Sequence, residues 1–414
     1  MIFESTKDFF RSEIRSVFRF LKKSFVNPNL CAIISPPYEK CGLKPGIAAA
    51  VMLTVMTFSL ASCSAESASE KAAGARVVNI YNWSDYIAPD TIRNFEREFG
   101  IKVNYDIYDS SEVVDAKLLA GSSGYDVVFH ANQFAARLAP VGIFQKLDYS
   151  KFSNLRHLDP EILAKTSLYA VLEGYSVPYM WGSTGYAYNE TMVRRRLPDL
   201  EMDSANVLFD PAIISKLADC GVSLLDSPTD VFPMVLSYLG RDPNAVDEES
   251  IAAAEAQLEL IRPYVRYFSS TKMISDLPNR ETCVAMSWSG DYAQASMRAK
   301  EAGIDIDLRY TMPKEGSGLW VDAMFVPADA RHVENAYLFM DYIMRPAVTA
   351  AISNHVFYAN VNKSAVPLLN AAVANDPGIY PDEESWELLY PVLPAEPKEE
   401  RLRTRAWARV KSGI

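Results

Sequence analysis

Two short segments of the chain join a tryptophan to small and acidic residues directly after a predicted strand. Trp83-Ser-Asp-Tyr86 follows an apolar strand predicted at residues 77–82, and Trp288-Ser-Gly-Asp291 follows another at residues 283–287. In open α/β sheets, ligands bind beyond the carboxyl ends of the strands. An aromatic face attracts an organic cation, and a carboxylate compensates its charge. The two segments therefore predict a cavity for an organic cation.

A third candidate lies inside an apolar strand predicted at residues 319–326. Trp320 and Asp322 point to the same face of this strand, because side chains along a strand alternate with a period of two. An aspartate buried there without a partner would be costly, so a cation is expected to meet it. Asp230, which follows a strand predicted at residues 221–225, completes the set of candidate carboxylates.

Several candidates also have a purely structural explanation. Trp83 and Tyr86 could cover the edge of the sheet as core aromatics, and Asp85 could cap the following helix. Asp230 could act only as the cap of an apolar helix predicted at residues 231–239. The cavity interpretation is favoured for the tryptophan segments, whereas both explanations of Asp230 stay open.

A diamine or polyamine at neutral pH is a flexible methylene chain with a cation at each end. Its receptor needs carboxylates spaced for the ammonium groups and aromatic faces along the methylenes. Contacts between a cation and a ring contribute about 0.5–1 kcal/mol, or about 2 kcal/mol when water is excluded, whereas hydrogen bonds to charged groups contribute about 1.5–3 kcal/mol. Carboxylates are therefore expected to anchor such a ligand, and rings to select it.

The motifs of common enzyme classes do not occur in the chain. It has no hydrolase nucleophile elbow, no Walker loop, no dinucleotide glycine fingerprint and no His-Glu-x-x-His. The four histidines stand at no metal-ligand spacing and are predicted to be structural. The sequence thus predicts no catalytic residue, no metal site and no cofactor. The histidines are His130, His157, His332 and His355.

Length and composition indicate a globular protein. The chain has 414 residues, of which 49% are apolar and 22% charged, and this length is sufficient for two domains with separate cores. The net charge is -11, and residues 1–62 carry more Lys and Arg than Asp and Glu, so the rest of the chain is more acidic still. An acidic body argues against nucleic acid as a partner.

The N-terminal segment predicts export. Residues 45–60 are a run of small and apolar side chains, which suits the core of a signal peptide better than a membrane-spanning helix. Leu60-Ala-Ser-Cys63 resembles a bacterial lipobox. Residues 1–62 are therefore predicted to be a lipoprotein leader, Cys63 the lipidated first mature residue, and residues 63–75 a flexible tether.

The predicted location is the periplasm, with the protein held to a membrane only through the lipid on Cys63. An uncleaved anchor and an ordinary signal peptide with an incidental cysteine are the open alternatives. Residues 1–42 are either a long basic part of the leader, or they precede the true first residue because the start site was assigned too early.

The five cysteines divide according to this leader. Cys31 and Cys41 are removed with it, Cys63 carries the lipid, and Cys220 and Cys283 remain. In an exported protein the remaining pair favours a disulfide, whereas in the cytosol it would favour two buried thiols.

The first half of the mature chain reads as repeated strand, helix and strand. After the strand at residues 77–82, Pro89 opens a helix that Gly100 stops, and residues 101–107 alternate as a second strand. This order implies a right-handed parallel crossover. The pattern repeats up to a strand at residues 125–130, so the first lobe is predicted to be a doubly wound α/β unit.

A second set of strands and helices begins after an aromatic segment at residues 177–189. The order of elements predicts two α/β lobes joined by two extended crossings, with a ligand cleft between them. We assign residues 76–183 and 311–362 to lobe 1 and residues 184–310 to lobe 2. Residues 363–414 are predicted to be a C-terminal helical tail that packs on the lobes.

Eight segments spread along the chain carry a family resemblance. They are Tyr81-Asn-Trp-Ser-Asp-Tyr-Ile-Ala-Pro-Asp-Thr91, Val177-Pro-Tyr-Met-Trp181, Trp288-Ser-Gly-Asp291, Pro313-Lys-Glu-Gly316, Val326-Pro-Ala-Asp-Ala330, His355-Val-Phe-Tyr-Ala-Asn360, Arg403-Thr-Arg-Ala-Trp407 and Val410-Lys-Ser-Gly413. With these segments the chain resembles the putrescine-binding and spermidine-binding proteins of bacterial polyamine ABC importers. The resemblance covers nearly the whole mature chain.

The resemblance implies a type II periplasmic binding protein fold, whose two lobes close on the ligand about a hinge. It implies a polyamine ligand and, as partners, an ABC permease and its ATPase. By matching position, Asp322 would meet one terminal ammonium with Ser84 and Asp85 nearby, and Asp291 and Asp230 would serve the other. The implied aromatic box consists of Trp83, Tyr86, Trp288, Trp320 and Tyr358. Putrescine-type members carry a disulfide at the positions of Cys220 and Cys283.

Four positions bear on specificity. Ala131 stands where putrescine-type members have serine, Asp230 where they have glutamate, and Trp320 where they have phenylalanine. Trp320 matches the spermidine type, but Ser227 lacks the acid that spermidine-type members place there. Putrescine and spermidine both remain candidates, with a slight preference for putrescine or for a mixed specificity.

The prediction that follows is a monomeric extracytoplasmic solute-binding protein that captures a polyamine and delivers it to an ABC permease. The alternative among binding proteins is a polyamine sensor that signals to a membrane partner. An exported enzyme acting on amines would need a cofactor site or a catalytic constellation that the sequence does not show.

Overall fold

The computed structural model describes residues 76–166 and 168–413. The predicted leader at residues 1–62, the lipidated Cys63 and the tether up to residue 75 lie outside the described residues. Within the described part of the chain, no helix combines the length and the apolar character needed to cross a membrane.

Eleven strands of the described residues join in one sheet. They are β1 (Val77–Trp83), β2 (Lys102–Tyr108), β3 (Val127–Ala131), β4 (Ser176–Asn189), β5 (Val222–Leu224), β6 (Val265–Phe268), β7 (Val284–Trp288), β8 (Leu308–Thr311), β9 (Ser317–Phe325), β10 (Ala359–Asn360) and β11 (Leu389–Pro391). The main path through the sheet is β2-β1-β3-β9-β4-β7-β5-β6, with β8 and β10 beside β4 and β11 beside β9.

Two parallel arrays flank an antiparallel centre. β2, β1 and β3 are parallel neighbours, as are β7, β5 and β6, while β9 and β4 run antiparallel between them. β4 pairs with β9 from Ser176 to Thr184 and with β7 from Thr184 to Tyr188, so it crosses from one array to the other. We call the array of β1 to β3 with its helices the first lobe, and the array of β5 to β7 with its helices the second lobe.

Helices cover the sheet and connect its strands. They are α1 (Pro89–Phe99), α2 (Ser111–Leu119), α3 (Asn132–Leu138), α4 (Pro160–Thr166), α5 (Glu190–Arg194), α6 (Asn206–Phe209), α7 (Pro211–Leu217), α8 (Pro228–Tyr238), α9 (Glu248–Ile261), α10 (Met273–Asp276), α11 (Ser289–Glu301), α12 (Val333–Ile343), α13 (Pro346–Val356), α14 (Ala371–Ala374), α15 (Glu383–Glu387) and α16 (Pro397–Ser412).

The first crossover forms as predicted. α1 begins at Pro89, whose fixed φ suits the first turn, and ends before Gly100, which adopts a φ of 63° that favours glycine. Phe95 is fully buried on the inner face of this helix. β1 and β2 pair in parallel, which places the loop after Trp83 at the carboxyl edge of the sheet.

Each lobe has its own apolar core. The core of the first lobe includes Phe95, Phe129 and Phe339, and that of the second includes Phe209 and Phe232. The predicted disulfide joins Cys220 and Cys283, which are both buried in the second core. It links the residues just before β5 and β7, two parallel neighbours.

One boundary of the sequence prediction was wrong. The helix after β5 begins at Pro228 rather than at residue 231, because proline is well suited to the first helical turn and Ser227 takes the N-cap position.

The C-terminal tail contains a strand as well as the predicted helices, and it contacts both lobes. β11 pairs in parallel with the start of β9. The Tyr169 hydroxyl of the first lobe donates to the carbonyl oxygen of Val392, and Asn244 Nδ2 of the second lobe donates to that of Pro391 at 2.9 Å. α16 then packs on α8 and α9 of the second lobe.

Candidate ligand-binding site

The ten residues predicted to contact a ligand line one cavity between the lobes. The space within it, including its mouth, is about 1000 Å³. The first lobe and the central strand β9 contribute one wall, and the second lobe contributes the other. The predicted residues on the walls are Trp83, Ser84, Asp85, Tyr86, Asp230, Trp288, Asp291, Trp320, Asp322 and Tyr358.

The cavity lies at the carboxyl ends of parallel strands from both lobes. Trp83 ends β1, Ala131 ends β3 and Trp288 ends β7, and all three line the cavity. Asp230 and Asp291 lie in the first turns of α8 and α11, the helices that follow β5 and β7. Carboxylates at these two positions supply the negative charge that a bound cation requires.

The aromatic side chains form two neighbouring groups. Trp83 of the first lobe faces Trp288 of the second, with ring centres 6.2 Å apart. The ring of Tyr358 lies 5.2 Å from that of Tyr86 and 5.4 Å from that of Trp320. Rings from both walls thus provide apolar faces along which methylene groups could pack.

Two glycines let these rings approach the backbone. A Cβ at Gly290 would lie 2.5 Å from ring atoms of Tyr358, and one at Gly182 would lie 2.5 Å from Cζ2 of Trp320. Both distances are far below van der Waals contact, so any larger residue would displace a ring from the cavity wall.

Asp291 is a buried carboxylate that already has one partner. The Tyr358 hydroxyl donates a hydrogen bond to its Oδ1 at 2.6 Å. Burial raises the pKa of Asp291 to about 7, and the Tyr358 hydrogen bond opposes that rise only in part. A cation in the cavity would favour the ionised form of this carboxyl.

Asp322 is the second buried carboxylate, on β9 opposite Ala131 of β3. Burial raises the pKa of Asp322 to about 7 as well. The neighbouring Tyr86 hydroxyl has its pKa raised well above the ordinary value, first by burial and then by the charge of Asp322. As predicted from the alternation of the strand, Asp322 and Trp320 line the same cavity.

Asp230 does not cap its helix. Its Oδ1 accepts hydrogen bonds from Thr184 Oγ1 at 2.7 Å and from Trp288 Nε1 at 3.1 Å, and its Oδ2 accepts one from Ser227 Oγ. The carboxylate therefore fixes the indole of Trp288 at the cavity wall. Of the two explanations that the sequence left open, the structure excludes the simple cap.

Asp85 differs from the other three carboxylates because its side chain is 62% exposed. The sequence also allowed Asp85 to act only as the cap of the following helix. This explanation is wrong, since Ala88 is the N-cap of α1 and no side chain caps that end. Asp85 has a φ of 53°, and its Oδ2 lies 3.5 Å from Arg298 Nη2 of the second lobe. Asp85 thus contributes to the mouth of the cavity rather than to its buried part.

Sequence reasoning did not identify every lining residue. Gln133, Gln294 and Arg298 also line the cavity. A signal existed for two of them, because Asp291, Gln294 and Arg298 are spaced three and then four residues apart along α11 and therefore share one face. Gln133 follows the end of β3, and its Oε1 is buried without a hydrogen-bond partner.

Comparisons with known proteins agree with this geometry. Residues 90–381 match the family model described as bacterial extracellular solute-binding protein, and the chain belongs to that family. It is 46% identical over 344 residues to the putrescine-binding periplasmic protein PotF of Escherichia coli, covering 83% of this chain and 93% of the relative. It is 45% identical over 363 residues to the putrescine-binding periplasmic protein SpuD of Pseudomonas aeruginosa, covering 87% of this chain and 98% of the relative.

A solved structure supports the fold directly. The putative spermidine/putrescine ABC transporter from Listeria monocytogenes superposes with a TM-score of 0.73 at 30% identity, covering 81% of this chain and 99% of that one. The fold is therefore the two-lobed type II periplasmic binding protein fold that the sequence predicted.

Proposed function

We propose that this protein captures a polyamine, putrescine or spermidine or both, outside the cytoplasm and delivers it to an ABC permease and its ATPase. One observation carries the proposal: three buried carboxylates and five aromatic rings line a single cavity between two lobes. The carboxylates Asp230, Asp291 and Asp322 suit ammonium groups, and the rings suit the methylene chain between them.

Each end of the ligand has its own anchors. The charges that act on the two buried carboxyls support a division that differs from the one the resemblance implied, because Asp230 acts on Asp322 and Asp85 acts on Asp291. Asp322 with Asp230 therefore binds one terminal ammonium, and Asp291 binds the other, with Ser84 and Asp85 nearby at the mouth. The five rings (Trp83, Tyr86, Trp288, Trp320 and Tyr358) enclose the methylenes. The ligand is held by charge, hydrogen bonds and apolar contact and is released unchanged, so the protein acts as a binding protein and not as an enzyme.

The relatives favour transport over the sensor alternative. Two of them are named as putrescine-binding periplasmic proteins, and the solved relative is named as an ABC transporter. The proposed location is accordingly the periplasm, with a lipid on Cys63 as the membrane anchor and with the protein as a monomer.

We also propose residue boundaries for the lobes: residues 76–183 and 311–362 in lobe 1, 184–310 in lobe 2, and 363–414 as the tail. In support of the boundary between residues 183 and 184, β4 changes its pairing partner from β9 to β7 at Thr184.

Specificity depends on the end of the cavity that holds Asp230. Its carboxylate is one methylene shorter than a glutamate, and it is already engaged by Thr184, Ser227 and Trp288. Ala131 offers no hydroxyl to the ligand at the opposite wall. Both features reduce polar contact with a short diamine, and we expect putrescine and spermidine to bind with similar affinity.

Titration calorimetry of the mature protein with putrescine, cadaverine, spermidine and spermine tests this function. We expect saturable binding of putrescine or spermidine with one ligand per chain, and no binding of glutamate, which matches neither the charge nor the shape of the cavity. Mass spectrometry of the recovered amine should show it unchanged. Absence of heat with all four amines, or chemical turnover of any of them, would refute the proposal.

A further inference from the structure

A series of ion pairs connects the two lobes on one flank of the cavity. Arg137 Nη2 lies 2.9 Å from Asp115 Oδ2, and Arg137 Nη1 lies 3.2 Å from Glu400 Oε2. Arg403 Nη2 contacts the same Glu400 oxygen, and it also donates to Thr229 Oγ1 at 3.4 Å. Glu400 is therefore shared between two guanidinium groups.

The contact between Arg137 and Glu400 is the link that crosses between the lobes. Asp115 lies in α2 and Arg137 in α3, which packs on β3 of the first lobe. Glu400 and Arg403 lie in α16, which packs on α8 and α9 of the second lobe. Any motion that separates the lobes has to break this ion pair.

On each side of the link between Arg137 and Glu400, one of these charged side chains contacts a residue at or next to the cavity. The Arg137 guanidinium carbon lies 4.7 Å from the ring centre of Phe134, a lining residue. On the other side, Thr229 immediately precedes Asp230, the carboxylate that fixes Trp288. The series of ion pairs thus connects one wall of the cavity to the other, although Glu400 itself does not contact the cavity.

The side chains that form these ion pairs are largely shielded from solvent. The side chains of Arg137 and Glu400 are each 19% exposed, and that of Arg403 is 6% exposed. Shielded pairs are less screened by salt than exposed ones. Without the charge of Glu400, two guanidinium groups would face each other across the boundary between the lobes, which favours separation of the lobes.

We propose that Glu400 is a positioning residue that holds the lobes closed over the bound ligand. The inference rests on the proposed function and extends it, because it assigns part of the affinity to a residue of the C-terminal helix that touches no ligand. Since a ligand enclosed between lobes leaves only after they separate, Glu400 acts on the dissociation rate of the complex.

Glu400→Gln tests the proposal, with Glu255→Gln as the matched control. Glu255 pairs with Arg409 of the same helix, with Nη2 and Oε2 2.7 Å apart, but it lies in α9, so this pair stays within the second lobe. Dissociation of spermidine is followed by stopped-flow tryptophan fluorescence. We expect Glu400→Gln to raise the dissociation rate about tenfold, Glu400→Asp to restore part of the loss, and Glu255→Gln to change nothing.

A second measurement needs no ligand. Spin labels placed on exposed residues of the two lobes report the distance between them in the free protein, and Glu400→Gln is expected to lengthen it relative to the wild type and to Glu255→Gln. Equal dissociation rates and equal distances in the two variants would overturn the proposal. A wild-type protein that binds no polyamine would instead refute the proposed function and leave the distance measurement interpretable.

Discussion

The hydroxyl of Tyr358 donates a hydrogen bond of 2.6 Å to the carboxylate of Asp291, and both groups are buried. The two residues are 67 positions apart in the chain, and they come from different elements, Asp291 from the first turn of α11 and Tyr358 from the segment that leads into β10. The contact joins the aromatic wall of the cavity to a carboxylate, the two kinds of group to which the proposed function assigns the methylenes and an ammonium.

Replacing Asp322 by asparagine should weaken polyamine binding at least tenfold, which is about 1.4 kcal/mol. The reason is that a buried ammonium would lose its counter-charge within the apolar strand β9. Calorimetry with putrescine and spermidine provides the measurement, and Asp307→Asn, on a half-exposed side chain that does not line the cavity, is the control. Unchanged affinity in Asp322→Asn would remove this residue from the site.

Polyamine affinity should fall as the pH drops below about 7. In the free protein, burial raises the pKa of Asp291 and of Asp322 to about 7 each, and a bound cation would lower both values. Binding therefore releases protons at low pH, and the dissociation constant should rise by up to about tenfold per pH unit for each proton released. Calorimetry at pH 5.5 to 8 in buffers of different ionisation enthalpy counts these protons. A constant affinity over that range would contradict the prediction.

The stability of the ligand-free protein should have the opposite pH dependence. The folded-state pKa of both carboxyls lies above the unfolded value of about 4, so the folded state favours their protonated forms. Their contribution to stability is present below about pH 4 and is lost as the pH rises to about 7, on the order of a few kcal/mol for each group. Urea unfolding at pH 5 and 8 measures the loss, and the double variant Asp291→Asn, Asp322→Asn should lack it. The same pH dependence in wild type and double variant would assign the effect to other groups.

Gly290→Ala should disrupt binding although it adds only a methyl group. Its Cβ would lie 2.5 Å from ring atoms of Tyr358, so the ring has to move and its hydrogen bond to Asp291 is lost. We expect affinity for spermidine to fall at least tenfold, whereas Tyr358→Phe, which keeps the ring in place, should lose less. If Gly290→Ala binds as tightly as the wild type, the position of Tyr358 does not limit affinity.

Removal of the disulfide should lower stability and leave binding almost intact. Cys220 and Cys283 close a long loop in the core of the second lobe, before β5 and β7, and neither lines the cavity. Replacing both by serine should reduce the free energy of unfolding by about 2–5 kcal/mol. Urea titrations of the oxidised wild type and the double variant give this value, with calorimetry as the test of retained binding. A variant of full stability that cannot bind would show that the bridge shapes the cavity instead.

Local patterns were sufficient for most of the elements around the site. Pro89 and Gly100 predicted both ends of α1, and the alternation around Trp320 and Asp322 predicted that they share a face. These patterns succeed because capping and strand periodicity depend on neighbours in the chain. The start of α8 was placed three residues late because Pro228 was assigned to the turn rather than to the helix.

The sequence by itself determined which residue types face the cavity, since rings and carboxylates follow strands whose carboxyl ends must meet at one edge of a sheet. Only the tertiary structure decided which side chains touch: that Tyr358 forms a hydrogen bond to Asp291, that Trp288 forms one to Asp230, and that Glu400, outside the cavity, pairs with Arg137. The reason is physical. Contacts between residues far apart in the chain depend on how the two lobes and the C-terminal helix pack together, and no local periodicity encodes that packing.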